Sequence, residues 1–180
     1  IGEGASAIGT IKAGRFAQFQ ACYELKGKPT NVQKTTLTRL RKTEEFAAIE
    51  ALMRTGVKEH CDTTKRRFDR VIFSCDADVD GSHISTLLLT FLFRYMREVI
   101  EGGYVYLAKP PLYSINRGQK KQYVYDEEAL ETALRDIVAQ KEERGTTVDS
   151  AADLVKQAGV TISRFKGLGE MDADQLWETT

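Results

Sequence analysis

Apolar positions along this 180-residue chain cluster with two different periods, and together they predict an α/β fold. Val71-Ile72-Phe73 is contiguous and β-branched or aromatic, which predicts a strand covered on both faces in a parallel sheet. Ser85 to Ile100 is apolar almost all round until Arg94 and predicts a buried helix that Gly102-Gly103 stops. Tyr104 to Leu107 predicts the next strand, ended by Pro110-Pro111 before an extended Leu112 to Ile115. Strand, helix, strand is the right-handed crossover that joins parallel neighbours. Upstream, Thr43 to Met53 places Glu44 and Glu45 in a first turn and Phe46, Ile49, Leu52 and Met53 on one face, an amphipathic helix with Thr43 as its cap. Ser6 to Phe16 predicts a helix capped by Ser6, and Phe19 to Tyr23 predicts a short strand. Gly27 and Pro29 make Glu24 to Val32 a loop.

From Asn116 the pattern turns charged and irregular. It offers a short strand at Gln122 to Tyr125, a helix after Asp126 reaching Glu143, a short helix at Asp149 to Ala158 followed by Gly159, and a terminal helix capped by Asp172. The expected organisation is therefore a Rossmann-like parallel sheet flanked by helices over residues 1–115, with a small appended α-rich connector and tail over residues 116–180. The abrupt start at Ile1-Gly-Glu-Gly and the uncapped end after Asp172 read as the edges of a piece cut from a longer protein.

Charge narrows the partners. Lys+Arg and Asp+Glu each total 26, so no global basic field exists and any nucleic-acid contact must be local. Cys22, Cys61 and Cys75 form no CxxC pair, which fits reduced thiols better than a disulfide frame or a zinc site. No apolar run approaches the roughly 20 residues of a membrane helix, and no signal segment opens the chain, so a cytoplasmic protein without a membrane partner is expected.

The candidate chemistry lies where the central strand ends. Asp76, Asp78 and Asp80 fall at its carboxyl end, where open α/β sheets bind ligands. Their mutual repulsion is relieved by a hard cation such as Mg²⁺, which takes oxygen ligands and keeps waters for substrate phosphates. Glu3, at the exit of another strand, is placed to add a further ligand. Asp76-x-Asp-x-Asp-Gly81 opens like a calcium-binding EF-hand loop, but the acid required at the twelfth position is Leu87 and a strand, not a helix, precedes it. A strand ending in Asp-x-Asp also resembles the nucleophile motif of haloacid-dehalogenase-type phosphatases, although that motif belongs near the start of its domain. A third reading has the acids capping the helix that begins near Ser82; His83, just beyond them, is placed either to contact phosphate or to hydrogen-bond at the helix start. Lys26 and Lys28 flank Gly27 in a loop suited to phosphate contact, Lys65-Arg66-Arg67 is an exposed basic approach to the strand, and Ser163 to Met171, with Lys166, is a second glycine-rich candidate phosphate loop.

Five segments in order carry a resemblance: Glu3-Gly-Ala-Ser-Ala, Leu25-Lys-Gly-Lys with Asn31, Asp76-Ala-Asp-Val-Asp-Gly-Ser-His-Ile84, Pro110-Pro-Leu-Tyr113, and Lys166-Gly-Leu-Gly-Glu-Met-Asp-Ala-Asp-Gln-Leu-Trp177. Together they resemble the Toprim region of type IIA DNA topoisomerases, in the pattern of the gyrase-type and topoisomerase IV-type B subunits. The resemblance implies Mg²⁺-dependent cleavage and religation of double-stranded DNA, with Mn²⁺ as a substitute. The attacking tyrosine would come from a partner A subunit in an A2B2 enzyme, and ATP would act through a domain outside this chain. It further implies that Glu3, Asp76 and Asp78 are catalytic metal ligands with Asp80 in support, and that Lys28 and Asn31, with Lys26 beside them and Lys166 in the second loop, contact DNA. A stand-alone metal-dependent phosphatase or nuclease is the alternative. Ala5 stands where the family usually has an acid, and Ile8 where it has a glycine.

Overall fold

A computed structural model describes residues 1–142, 155 and 158–179. In chain order its elements begin with β1 (Gly2–Glu3), α1 (Gly4–Gly14), β2 (Glu24–Leu25), α2 (Leu37–Leu40), α3 (Glu44–Met53) and β3 (Val71–Phe73). They continue with α4 (Val79–Tyr95), α5 (Arg97–Glu101), β4 (Val105–Leu107), β5 (Tyr113–Arg117), β6 (Lys120–Val124), α6 (Glu127–Glu142), β7 (Thr161–Arg164) and α7 (Ala173–Thr179).

β1 pairs with β2 and β3 with β4, both parallel, and a parallel bridge between Gly2 and Ser74 joins the pairs in the order β2-β1-β3-β4. The Ser74 N–H donates to the Ile1 carbonyl at 2.8 Å and the Glu3 N–H to the Ser74 carbonyl at 3.1 Å. This junction brings the end of β1 beside the strand that leads to the acids. Gly4 then turns the chain into α1 at a φ of 74°, a region that favours glycine.

The expected burial of the central strand on both faces is corrected. Val71 and Phe73 are 7 % and 1 % exposed, but Ile72 between them is 39 % exposed and so is on an open face. Its register partner Tyr106 is exposed too, under the Arg70 guanidinium. The covered face packs onto Phe46, Ile49, Ile84, Leu88, Phe91 and Leu92 from α3 and α4, where the Phe46 and Phe91 ring centroids are 4.5 Å apart.

Three local expectations also change. Phe19 to Tyr23 is not a strand: the Phe19 and Gln20 N–H groups both donate to the Phe16 carbonyl, closing a turn after α1, and the strand is the following Glu24–Leu25. Ser6 does not cap α1, which starts two residues earlier with Glu3 at its N-cap position. The helix expected at Ser85 to Ile100 starts at Val79 and breaks at Met96, whose φ of −142° leaves the helical region, so α4 and α5 are separate.

Beyond Pro111 the chain builds a three-stranded antiparallel sheet in the order β6-β5-β7. Its third strand, Thr161–Arg164, takes up Ser163 and Arg164, the first two residues of the expected second phosphate loop. Tyr113, Ile115, Val124, Leu134 and Val138 form a core of their own between this sheet and α6. The expected helix at residues 149–158 lies mostly outside the described residues, although the Gly159 N–H does return to the Val155 carbonyl. A third apolar cluster of Ala7, Leu168, Met171 and Leu176 draws the segment after β7 back onto α1. Among the described residues no helix is long and apolar enough to cross a membrane.

Candidate metal centre

The carboxylates gather at the carboxyl ends of β1 and β3. The Glu3 carboxylate accepts the Asp76 N–H at a long 3.4 Å, across 73 residues of sequence. Burial pushes the Glu3 carboxyl above its ordinary value; the hydrogen bond from the Asp76 backbone opposes this, and the charges of Asp76, Asp78 and Asp80 add to the upward shift. A carboxyl with a raised pKa binds its proton more tightly in the folded chain. Its stabilising contribution is therefore present below the ordinary value of 4.5 and lost as pH rises through the raised one. Glu3→Gln keeps an acceptor for the Asp76 N–H and removes the charge. We expect it to stabilise the metal-free chain at pH 7 by less than about 1 kcal/mol, with the gain vanishing below pH ~4, as read from paired urea melts.

Asp76 is half-buried and held at its side chain by the far end of the molecule. Its Oδ1 accepts the Leu168 N–H at 2.9 Å. Asp78 caps α4, its Oδ1 accepting the Gly81 N–H at 2.8 Å. One alternative reading, acids at a helix start, thus holds for Asp78. Asp80 is turned to a cation: Lys28 Nζ lies 2.6 Å from its Oδ1, and that bond holds the Asp80 carboxyl below the usual range. His83 is exposed on the same helix.

The candidate DNA-contacting residues share an exposed border beside these acids only in part. Lys28 reaches the acids through Asp80, whereas Lys26 pairs with Glu44 at 2.9 Å, away from them. Asn31 uses its Oδ1 to cap the turn at Val32–Lys34 by accepting the Gln33 N–H. Lys166 is exposed, and its N–H donates to Glu170. In the Lys65-Arg66-Arg67 approach, Arg66 is occupied by Tyr104, its guanidinium 4.2 Å from the ring centre.

Among the described residues no three His, Cys, Asp or Glu side chains close into a cage for an ion. Mg²⁺ does not need one, because one or two carboxylates plus water and substrate phosphates usually hold it. Hard oxygen donors, a free edge on Asp76, and a Glu3 carboxyl raised first by burial and further by its acidic neighbours fit such an ion. Two of the three thiols are poor candidates for nucleophiles: burial is the main cause pushing Cys61 to about 11, and burial raises Cys75 as well.

The contact of Gly167 and Leu168 with Asp76 is one that sequence reasoning misses. The glycines are visible as a loop, but nothing local in the sequence indicates a partner 92 residues away.

Residues 1–110 match the Toprim domain family. The chain belongs to that family. Residues 157–180 of this Toprim protein match the carboxyl terminus of the DNA gyrase B subunit. The whole chain is 44 % identical to the DNA gyrase B subunit of Archaeoglobus fulgidus, covering 25 % of that protein, and 47 % identical to the Treponema pallidum protein of the same name, covering 26 %. Over 178 residues, 99 % of the chain, it is 43 % identical to the DNA gyrase B subunit of Staphylococcus aureus, of which it covers 25 %. The Toprim chain thus spans about a quarter of the length of these relatives.

Proposed function

We propose that this chain is the cation-holding DNA cleavage and religation module of a cytoplasmic type IIA topoisomerase of the gyrase B kind. The observation that carries the reading is the meeting of Glu3 and Asp76, brought together by the β1–β3 junction at the strand ends of a Toprim fold. Glu3, Asp76 and Asp78 would hold Mg²⁺, or Mn²⁺ in its place, and Asp80 would support them from the Lys28 side. Bound there, the ion supplies Lewis-acid stabilisation of charge on the attacking and leaving oxygens of a phosphodiester.

The chain's own residues do the rest. The Leu168 N–H occupies one oxygen of Asp76 and leaves Oδ2 without a hydrogen bond from the described residues. The cap to Gly81 likewise fixes Asp78 by one oxygen. Exposed ion pairs are weak, so Lys26 and Lys28 can exchange their carboxylates for backbone phosphates, and Asn31 and Lys166 extend that contact. Such contacts position duplex DNA without reading its sequence. A Lys28→Ala protein should accordingly lose about 0.9 from the slope of log affinity against log salt, measured by fluorescence anisotropy on duplex DNA.

The tyrosine that attacks phosphorus is assigned to a partner A subunit in an A2B2 assembly, and ATP to a module outside this chain. Reconstitution tests the reading. The full-length protein with its tyrosine-bearing partner should cleave duplex DNA only with Mg²⁺ or Mn²⁺ present. Turnover of DNA or phosphomonoesters by this chain alone would point instead to a stand-alone nuclease or phosphatase.

A further inference from the structure

The loop after β7 approaches Asp76 more closely than any residue with a side chain could. Gly167 has an extended backbone, φ −165° and ψ 166°, which every residue type adopts, so its glycine is not needed for conformation. It is needed for space: a Cβ there would stand 2.6 Å from Asp76 Oδ2, 2.9 Å from Cγ and 3.0 Å from Oδ1. The next residue, Leu168, gives its N–H to Asp76 Oδ1 and buries its own side chain completely against Ala7, Met171 and Leu176. The loop is braced further by Glu170, whose N–H donates to the Gly167 carbonyl at 3.1 Å and whose side chain accepts the Lys166 N–H at 2.8 Å.

We propose that Gly167-Leu168 is a positioning element for Asp76: a backbone shelf that fixes the orientation of this carboxylate and so sets the affinity of the site for a divalent cation. This rests on the cation reading given above. A carboxylate on a free side chain samples several rotamers and must be ordered when an ion binds. Here that ordering is done in advance, because Oδ1 is held by an amide and the flat of the group lies on a glycine. The anchor for the shelf is an apolar cluster on α1, the helix that follows Glu3, so both carboxylates are referred to the same element.

Mn²⁺ binding by the full-length protein, followed by electron paramagnetic resonance without nucleotide or DNA, tests this directly. Gly167→Ala should raise the Mn²⁺ dissociation constant about tenfold. Gly9→Ala, on the exposed side of α1 with nothing within 4 Å of the added methyl, should change it less than twofold. Equal effects from the two variants, or none from Gly167→Ala, would overturn the positioning role. Asp76→Asn separates the two claims: if it leaves Mn²⁺ affinity intact, the cation assignment itself is wrong, whereas a loss there with no loss in Gly167→Ala removes only the shelf. Should Gly167→Ala fail to fold, hydrogen exchange on the unsubstituted protein decides. Added Mg²⁺ should keep or increase protection of the Leu168 amide, and a fall in protection would mean that the loop competes with the ion for Asp76.

Discussion

Asp76→Ala is expected to lower Mg²⁺-dependent DNA cleavage by the reconstituted enzyme at least about 10³-fold, equivalent to roughly 4 kcal/mol of barrier. The substitution removes the carboxylate that the glycine loop holds through the Leu168 N–H, while the Asp76 backbone N–H that reaches Glu3 remains. Stability should move far less. The substitution leaves the Leu168 N–H without an acceptor, a loss of about 1 kcal/mol, and relieves repulsion on Glu3, which acts in the opposite direction. Single-turnover cleavage assays alongside denaturant melts separate the two effects. Undiminished cleavage would remove Asp76 from the proposed chemistry.

Gly81→Ala should be the most damaging small substitution near the site. Gly81 sits in the first turn of α4, and an added Cβ would be driven into the backbone carbonyl oxygen of Asp76 and stand 2.9 Å from its carbonyl carbon and its nitrogen. These are main-chain atoms and cannot rotate away. Either α4 lifts off the strand end, unsealing Ile84 and Leu88 from the main core, or the acidic turn shifts. A loss of about 3 kcal/mol is expected, read as a lower urea midpoint, with metal affinity falling in the same variant. A midpoint shift under about 1 kcal/mol would show that the turn is softer than its contacts imply.

What the sequence made legible follows from where its signals are local. The Val71–Phe73 run, the long apolar helix and the Tyr104–Leu107 strand announce themselves by composition, and the parallel β3–β4 pairing agrees with the crossover they predict. Boundaries were set by hydrogen bonds that composition does not reveal. Asp78 starts α4 six residues before the apolar stretch by capping Gly81, and a turn onto the Phe16 carbonyl removes the strand expected at Phe19. Coverage of Ile72 was overestimated because a contiguous apolar run looks the same whether helices cover one face of the strand or both. Thr161–Arg164 was missed because it joins β5 from across the whole of α6, and its short polar sequence carries little strand signal. In the site, the residue types could be read directly, while their partners could not. Lys28 on Asp80 and Leu168 on Asp76 are tertiary facts.

Those tertiary links also govern when in the life of the chain the site can exist. The bonds that assemble it span 52, 73 and 92 residues, so no short stretch emerging from a ribosome contains a working fraction of it. Closing such loops costs entropy that only a nearly complete sheet repays, which puts the site among the last features to form. Glu3 is synthesised before Asp76, and both must wait for Leu168, 92 residues beyond Asp76, before that carboxylate is held in place. On the proposed function, a newly made or partly unfolded copy would therefore hold its cation poorly. Competence to act on a phosphodiester would be reserved for molecules that have finished folding.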